Sequence, residues 1–165
     1  MIGETTRPTG DRVKEAFFNI IAPQVAQSKF ADVFAGSGNI GCEALSRGAQ
    51  RVTFIDIDPK CKEVILKNAK KVSLDNRVDL YNEDYKTALR RLKEQDIVYI
   101  DPPYNKGLGT ACLELIAKYD ILSKDGIAVL EHDNIEQTPE NIGKLVRYDS
   151  RKYGRCILSF YRRTE

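Results

Sequence analysis

Four consecutive residues, Asp101-Pro102-Pro103-Tyr104, place an acid, a rigid turn and an aromatic ring directly after the apolar run 97–100. Because consecutive prolines cannot continue the hydrogen bonding of a sheet, we expect a strand to end here. A carboxylate and a proline carbonyl can accept hydrogen bonds from an exocyclic amine, while a tyrosine ring stacks on a flat base. The segment therefore predicts a catalytic site that holds an amine-bearing ring.

A glycine-rich turn lies about sixty residues upstream. Residues 35–41 contain a G-x-G-x-x-G pattern between a predicted strand and a predicted helix. Small residues let the backbone approach a ligand closely, and a helix N-terminus favours an anionic group. Asp56 follows the next predicted strand, where its carboxylate can accept hydrogen bonds from both hydroxyls of a ribose. These residues leave two ligands open, a dinucleotide or S-adenosylmethionine.

Three other polar residues are interpreted from their positions. Asp58 precedes Pro59 and is expected to cap a helix, since proline is favoured at the first helical position. Asp84 has two open interpretations, a contact to an adenine amine or another helix cap. His132 is interpreted as a strand-end residue rather than a catalyst, because the sequence identifies no partner for it.

Apolar runs alternate with segments of helical period, a pattern typical of a parallel sheet covered by helices. Helices are predicted near residues 11–21, 39–47, 59 onward, 85–92 and 108–122, the first ending before Pro23, and strands near 30–35, 51–56, 78–81, 97–100 and 127–130. Runs 145–148 and 157–161 are separated by too few residues for a crossover helix and should form an antiparallel hairpin. In such a sheet the glycine turn and Asp101 share one cleft at the carboxyl ends of the strands.

Composition restricts the class of protein. At 165 residues, with 42% apolar and 30% charged residues, the chain fits one globular domain covering 1–165. It has no apolar run long enough for a bilayer and no signal-peptide pattern, so we expect a cytoplasmic protein without a membrane partner. Four dispersed cysteines and one histidine disfavour a metal site and a Ser-His-Asp hydrolase. The net charge is +2, but basic residues concentrate from Lys144 onward.

Several segments resemble a known group of enzymes. Residues 32–38, Asp-Val-Phe-Ala-Gly-Ser-Gly, look like motif I of class I S-adenosylmethionine methyltransferases, and residues 101–104 look like their motif IV for amino-group methylation. Residues 6–19, Thr-Arg-Pro-Thr-Gly-Asp-Arg-Val-Lys-Glu-Ala-Phe-Phe-Asn, are similar to the opening signature of the bacterial small-subunit ribosomal RNA guanine-N2 methyltransferase family. Residues 43–49 and Tyr153-Gly154 match that family too, so the resemblance covers nearly the whole chain.

The resemblance implies an α/β, Rossmann-like fold with helices on both faces of a seven-stranded, mostly parallel sheet in which only the last strand is antiparallel. It implies S-adenosyl-L-methionine as cofactor and 16S rRNA, within a 30S subunit or an assembly intermediate, as substrate, methylated on the N2 amine of guanine 966. The cofactor-binding residues would be Asp32, Phe34, Ala35, Gly36, Ser37, Gly38, Asp56, Ile57, Asp84 and Tyr85. The substrate-binding residues would be Arg7, Thr9, Arg12, Tyr104, Arg151, Lys152 and Tyr153, the last three expected in the loop of the final hairpin.

One departure and three alternatives accompany this assignment. Members of the family usually carry a short glycine- and basic-rich hairpin before the opening signature, whereas only residues 1–5 precede it in this sequence. We therefore expect weaker RNA docking. An adenine-N6 or other amino methyltransferase acting on DNA or another RNA would use the same motif IV. An NAD-dependent oxidoreductase would share the glycine turn and Asp56 but would not explain residues 101–104. A non-catalytic RNA-binding scaffold would retain the fold without turnover.

Overall fold

The chain alternates strands and helices along almost its whole length, and the computed structural model describes residues 8–103 and 106–164. The helices in these ranges are α1 (Pro8–Val25), α2 (Asn39–Ser46), α3 (Pro59–Lys71), α4 (Tyr85–Leu89) and α5 (Leu108–Lys118), with a 3₁₀ turn at Asp75–Arg77. The strands are β1 (Lys29–Val33), β2 (Arg51–Ile55), β3 (Val78–Tyr81), β4 (Gln95–Ile100), β5 (Leu122–Asp133), β6 (Asn141–Ile142), β7 (Leu145–Tyr153) and β8 (Cys156–Arg163).

These strands form one sheet in the order β3-β2-β1-β4-β5-β8-β7-β6. Strands β1 to β5 are parallel, and β8 pairs antiparallel with β5 and with β7. The expected α/β fold with a parallel sheet and a C-terminal antiparallel hairpin is confirmed. The positions that the sequence predicts for chemistry lie at the carboxyl ends of four neighbouring strands, β3, β2, β1 and β4.

The antiparallel orientation of the last strand is confirmed, but the expected count of seven strands is wrong. The described residues form eight strands, and the additional one is β6, which pairs antiparallel with the start of β7. Its two residues are too few to show an alternating pattern in the sequence. The tight reversal into β7 is possible because Gly143 adopts a φ of 54°, a conformation that glycine reaches without steric cost.

Three element boundaries also differ from the prediction. Helix α1 continues through Pro23 to Val25, because a proline in the last turn removes only one hydrogen bond and Val25 is buried in the core. Helix α5 ends at Lys118, and Leu122 already belongs to β5. Strands β7 and β8 extend so far toward each other that the hairpin loop is reduced to residues 154–155.

Apolar side chains cover both faces of the sheet. One buried cluster contains Phe17 and Phe18 of α1 together with Phe30, Phe54 and Tyr99 of the sheet. The rings of Phe17 and Tyr99 lie 4.7 Å apart, and burial of each such ring contributes roughly 1.5–3 kcal/mol to folding. The second cluster, on the other face, packs α4 and α5 against alternating residues of the same strands. Helices therefore cover both faces and leave the carboxyl ends of the strands open as a cleft.

Candidate functional site

The Asp-Pro-Pro segment lies at the carboxyl end of β4, where the strand ends at Ile100 as predicted. The amide of Asp101 donates to the carbonyl oxygen of Val33 at 3.3 Å, which holds the segment against the end of β1. Pro102 is buried and Pro103 is exposed. The proline pair thus ends the ladder and places the Asp101 carboxylate in the cleft.

The glycine turn between β1 and α2 closes tightly. The amide of Gly38 donates to the carbonyl of Ala35 at 2.8 Å, and Gly38 has a φ of 80° at the N-cap of α2. A Cβ at this position would lie 2.7 Å from Cγ1 of Ile65. Glycine is therefore required at Gly38 by both backbone conformation and space.

Asp32 holds this turn from below. Its Oδ2 accepts a hydrogen bond from the amide of Gly41, the third residue of α2, at 2.9 Å. No side chain of the N-cap residue Gly38 can satisfy that amide, so the strand supplies the acceptor instead. Burial raises the pKa of Asp32 to about 8, the Gly41 hydrogen bond opposes this, and the charge of Asp56 adds to it.

Asp56 connects the ends of β1 and β2. Its Oδ2 accepts from the amide of Gly36 at 2.9 Å, and its Oδ1 accepts from the amide of Asp58 at 3.0 Å. Each carboxylate oxygen has two lone pairs, so both retain capacity for a further donor. Asp58 is confirmed as the cap of α3, since its Oδ1 accepts from the amide of Lys60 at 3.0 Å.

Two cavities open along this edge of the sheet. The larger cavity has a volume of about 730 Å³, and the predicted residues that line it are Phe34, Asp56, Ile57, Asp84, Tyr85, Asp101, Pro102 and Pro103. The smaller cavity has a volume of about 280 Å³ and is lined by the predicted residues Asp32, Phe34, Ala35, Gly36, Ser37 and Asp101. Gly38 lies buried beneath the turn. The two cavities meet at Phe34, Asp101 and Glu131.

The larger cavity has an apolar wall and a polar rim. Phe34 has a φ of 62°, which is strained for an aromatic residue, and its ring lies 5.3 Å from that of Tyr85. Ile57 is 68% exposed, unusual for a large apolar side chain. Asp84 occupies the N-cap position of α4, but its side chain makes no capping hydrogen bond. Its carboxylate therefore remains available to a ligand amine.

Glu131 was missed by sequence reasoning. In the parallel pairing of β4 and β5, Ile100 lies beside Leu130, so the next residues, Asp101 and Glu131, lie side by side where β4 ends. The buried hydroxyl of Tyr99 donates to Oε1 of Glu131. The signal was present, because Glu131 directly follows the apolar run of β5, just as Asp101 follows that of β4.

The electrostatics of Asp101 follow from this crowding. Its side chain is open to the cleft, but surrounding protein atoms keep much of the bulk water away from the carboxylate. This desolvation, with repulsion from Glu131 and Asp32, raises the pKa of Asp101 well above its ordinary value. The end of β4 thus holds a carboxyl group that binds its proton more tightly than an exposed aspartate does.

Helix α1 contributes two further residues that sequence reasoning missed. Asp11 and Lys14 line the smaller cavity, and Nζ of Lys14 donates to Oδ1 of Asn39 at 3.1 Å. The predicted Arg12 is exposed on the same helix. Arg7 and Tyr104 lie outside the described residues, as does the side chain of Thr9.

The basic residues of the final hairpin lie in a strand rather than in its loop. Arg151, Lys152 and Tyr153 belong to β7, because pairing with β8 continues to the Tyr153–Cys156 pair. Arg151 forms an ion pair with Asp149 at 3.0 Å, and Lys152 is exposed. The tip of the hairpin is tied to the end of β5, where the amide of Asn134 donates to the carbonyl of Arg155 at 2.8 Å. The hairpin tip thus shares the edge of the sheet that carries the cleft.

Other observations limit the chemistry. Nε2 of His132 lies 2.8 Å from Oγ of Ser159 inside the sheet, so the ring is a buried, hydrogen-bonded strand residue. Among residues 8–103 and 106–164, no group of three or more His, Cys, Asp or Glu side chains is arranged to hold a metal ion. In those same ranges no helix has the length and apolar character needed to cross a bilayer.

Comparisons with known proteins agree with this geometry. The family model of conserved hypothetical protein 95 matches residues 1–162. YlbH of Bacillus subtilis, provisionally named an rRNA methyltransferase, is 37% identical over 98% of this chain and 90% of its own. Ribosomal RNA small subunit methyltransferase D of Haemophilus influenzae is 35% identical over 84% of this chain and 75% of its own. The solved structure of yhhF from Escherichia coli, provisionally named a methyltransferase, superimposes with a TM-score of 0.85 at 27% identity, over 93% of this chain and 86% of that one.

Proposed function

This chain belongs to the family of conserved hypothetical protein 95, the ribosomal RNA small subunit methyltransferase D family, and from that premise we propose that it is an S-adenosylmethionine-dependent rRNA methyltransferase. The observation that carries the proposal is that Asp101-Pro102-Pro103 and the carboxylate of Asp56 line one cavity. An amine acceptor and a nucleoside-binding carboxylate are then within one cleft, as methyl transfer to an amine requires.

The residues of the cleft fit the cofactor. Asp56 suits the ribose hydroxyls, the exposed side chain of Ile57 suits one face of adenine, and the uncommitted carboxylate of Asp84 suits the adenine amine. The carboxyl groups of Asp101 and Glu131 lie at the junction of the two cavities, where an ionised carboxylate would stabilise a cationic sulfonium. When bound, the cofactor supplies an electrophilic methyl group.

The chain itself contributes orientation. The Asp101 carboxylate and the Pro102 carbonyl accept hydrogen bonds from the two N–H groups of the target amine. These bonds direct the lone pair of the nitrogen toward the methyl carbon. A guanine amine is a poor nucleophile because its lone pair is delocalised into the ring, so this alignment matters. Holding two reactants in register accounts for up to roughly 7–11 kcal/mol in well-oriented systems. Tyr104 directly follows Pro103 in the sequence, and we assign its aromatic ring to stack on the target base.

The substrate follows from the relatives and from the charge of the hairpin. Proteins at 35–37% identity carry names that specify rRNA. The family resemblance supports, as the target, the N2 amine of guanine 966 in 16S rRNA, within a 30S particle or an assembly intermediate. Lys152 and Arg155 are exposed on the hairpin that adjoins the cleft, where they can contact phosphates. Such an enzyme works where ribosomal subunits are assembled, in the cytoplasm.

The test is transfer of a tritiated methyl group from S-adenosylmethionine to unmodified 30S particles, naked 16S rRNA and plasmid DNA, followed by nucleoside mass spectrometry. We expect N2-methylguanosine in rRNA, and loss of the label in Asp101→Asn. N6-methyladenine would favour the alternative amino methyltransferase, whose motif is the same. Cofactor binding without transfer to any of the three substrates would favour the non-catalytic scaffold.

A further inference from the structure

Glu131 lies in the cleft but has no assigned role in the proposed methyl transfer. It lies beside Asp101 in the register of β4 and β5, lines both cavities, and accepts a hydrogen bond from the buried hydroxyl of Tyr99. We propose that Glu131 is a positioning residue of this site, which makes the neighbouring Asp101 carboxylate the acceptor of the proton that the target amine loses. The inference rests on the proposed function.

The geometry of the strands keeps the two carboxylates together. Neighbouring strands lie about 4.8 Å apart, and side chains at paired positions project from the same face. Tyr99, two residues before Asp101, projects from that face too, which is why its hydroxyl reaches Glu131. The phenol prevents the Glu131 side chain from turning away from its neighbour. The charge of Glu131 repels that of an ionised Asp101 and so favours the protonated form of Asp101.

The amine nitrogen forms its bond to the methyl carbon while the methyl–sulfur bond breaks and its electron pair remains on sulfur. The nitrogen then carries one proton in excess and a positive charge. That proton passes to the Asp101 carboxylate and leaves to water when the product departs. Desolvation, together with repulsion from Glu131, raises the pKa of Asp101, so its carboxylate accepts this proton more readily than that of an isolated aspartate.

Other charged and titratable groups surround the pair. Asp32 of β1 interacts electrostatically with Asp101, and Tyr99 of β4 and Cys156 of β8 interact with Glu131. Along the cavities lie Asp11 and Lys14 of α1, Asp56 after β2, and Asp84 and Tyr85 at α4. Lys14 is the one cation that the described residues contribute to either lining, and its Nζ already lies 3.1 Å from Asn39 and 3.7 Å from Glu43. Glu131 therefore has no facing cation that cancels its effect on Asp101 within the described lining.

The experiment follows the carboxyl carbon of Asp101 by ¹³C NMR as a function of pH in the ligand-free protein. We expect Glu131→Gln, which keeps the shape and removes the charge, to lower the Asp101 midpoint by about one pH unit. Glu131→Asp keeps the charge and should retain a raised midpoint. Glu136→Gln, a matched change on the segment after β5, should leave it unchanged. An Asp101 midpoint that is the same in the wild type and in Glu131→Gln would overturn the proposal.

The second readout is the pH dependence of kcat for methyl transfer. The acid limb should move to lower pH in Glu131→Gln by the same amount as the NMR midpoint, whereas a merely structural role would lower kcat at every pH equally. If the NMR midpoint of Asp101 moves in Glu131→Gln but the acid limb of the kcat profile does not, the proposed role of the pair in accepting the proton is overturned. Absence of methyl transfer by the wild type would count against the proposed function. The NMR titration needs no turnover, so it tests the electrostatic coupling of Asp101 and Glu131 independently of that result.

Discussion

The backbone amide of Gly41 lies 2.9 Å from Oδ2 of Asp32, and this hydrogen bond ties the first turn of α2 to the end of β1. The acceptor is a carboxyl group that is 2% exposed. A residue expected to contact the cofactor thus also maintains the turn on which the cofactor site depends. Burial without a cationic partner favours the protonated form of Asp32 in the folded chain.

Asp32→Asn should alter how stability depends on pH. The unfolded chain loses the Asp32 proton near pH 4, whereas the folded chain keeps it up to about pH 8. Ionisation therefore favours the unfolded state in this window, and the free energy of unfolding of the wild type falls relative to the variant by up to about 1.4 kcal/mol per pH unit as pH rises. Urea unfolding at pH 5, 6, 7 and 8 measures the difference. A difference that stays constant with pH would contradict the prediction.

Gly41→Ala should destabilise the fold by about 1–3 kcal/mol, because an added Cβ would lie 2.3 Å from Cε2 of Phe54 and 2.9 Å from Cγ1 of Val52. Gly10→Ala, in α1, is the matched control, since its Cβ meets nothing within 4 Å. Alanine there should be neutral or stabilising by up to about 1 kcal/mol. Chemical denaturation of both variants gives the comparison, and equal destabilisation would show that crowding at Gly41 is not the cause.

Asp101→Asn should reduce kcat for methyl transfer by about 10²–10⁴-fold, since the carboxamide cannot take the proton of the amine. S-adenosylmethionine should still bind with similar affinity, because Asp56 and the glycine turn are unchanged. Asp125→Asn, at an exposed position of β5, is the control. Radiometric transfer and calorimetric cofactor binding separate the two effects, and a fully active Asp101→Asn would remove this residue from the mechanism.

Asp56→Ala should weaken binding of S-adenosylmethionine by about 10–100-fold, as expected for loss of hydrogen bonds to a charged group. Asp58→Ala removes a carboxylate only two residues away that caps α3. That change should lower the free energy of unfolding by about 1 kcal/mol and leave cofactor affinity nearly unaltered. Isothermal titration calorimetry measures the cofactor affinity of both variants, and thermal unfolding measures their stability. Similar cofactor affinities in the two variants would argue against a ribose contact at Asp56.

Lys152→Ala combined with Arg155→Ala should raise KM for the RNA substrate and leave cofactor affinity unchanged. If each side chain contacts a phosphate, the slope of log binding constant against log salt should become shallower by about 1.4–1.8. Lys70→Ala with Lys71→Ala removes two charges at the end of α3 and serves as the control. An equal loss of RNA affinity in the control pair would point to net charge rather than to a contact surface on the hairpin.

Much of the site could be predicted because it depends on local chemistry. The proline pair ends β4 wherever the strand lies, Asp58 caps α3 through an amide two residues away, and the glycine turn needs its glycines whatever surrounds it. The parallel order of β1 to β5 followed from the alternation of strands and helices. These features could be inferred before any contact was known.

The remaining features depend on contacts distant in the sequence, and the tertiary structure decided them. Glu131 became part of the site through its register with Asp101 and its bond to Tyr99, 32 positions away. Helix α1 extends beyond Pro23 because Val25 is buried in the core. Strand β6 forms through its pairing with β7. The sequence by itself determined the fold class, the turn and the acid at the strand end. Packing and strand pairing decided the boundaries, the extra strand and the second carboxylate, because the free energy that places them comes from contacts no local pattern encodes.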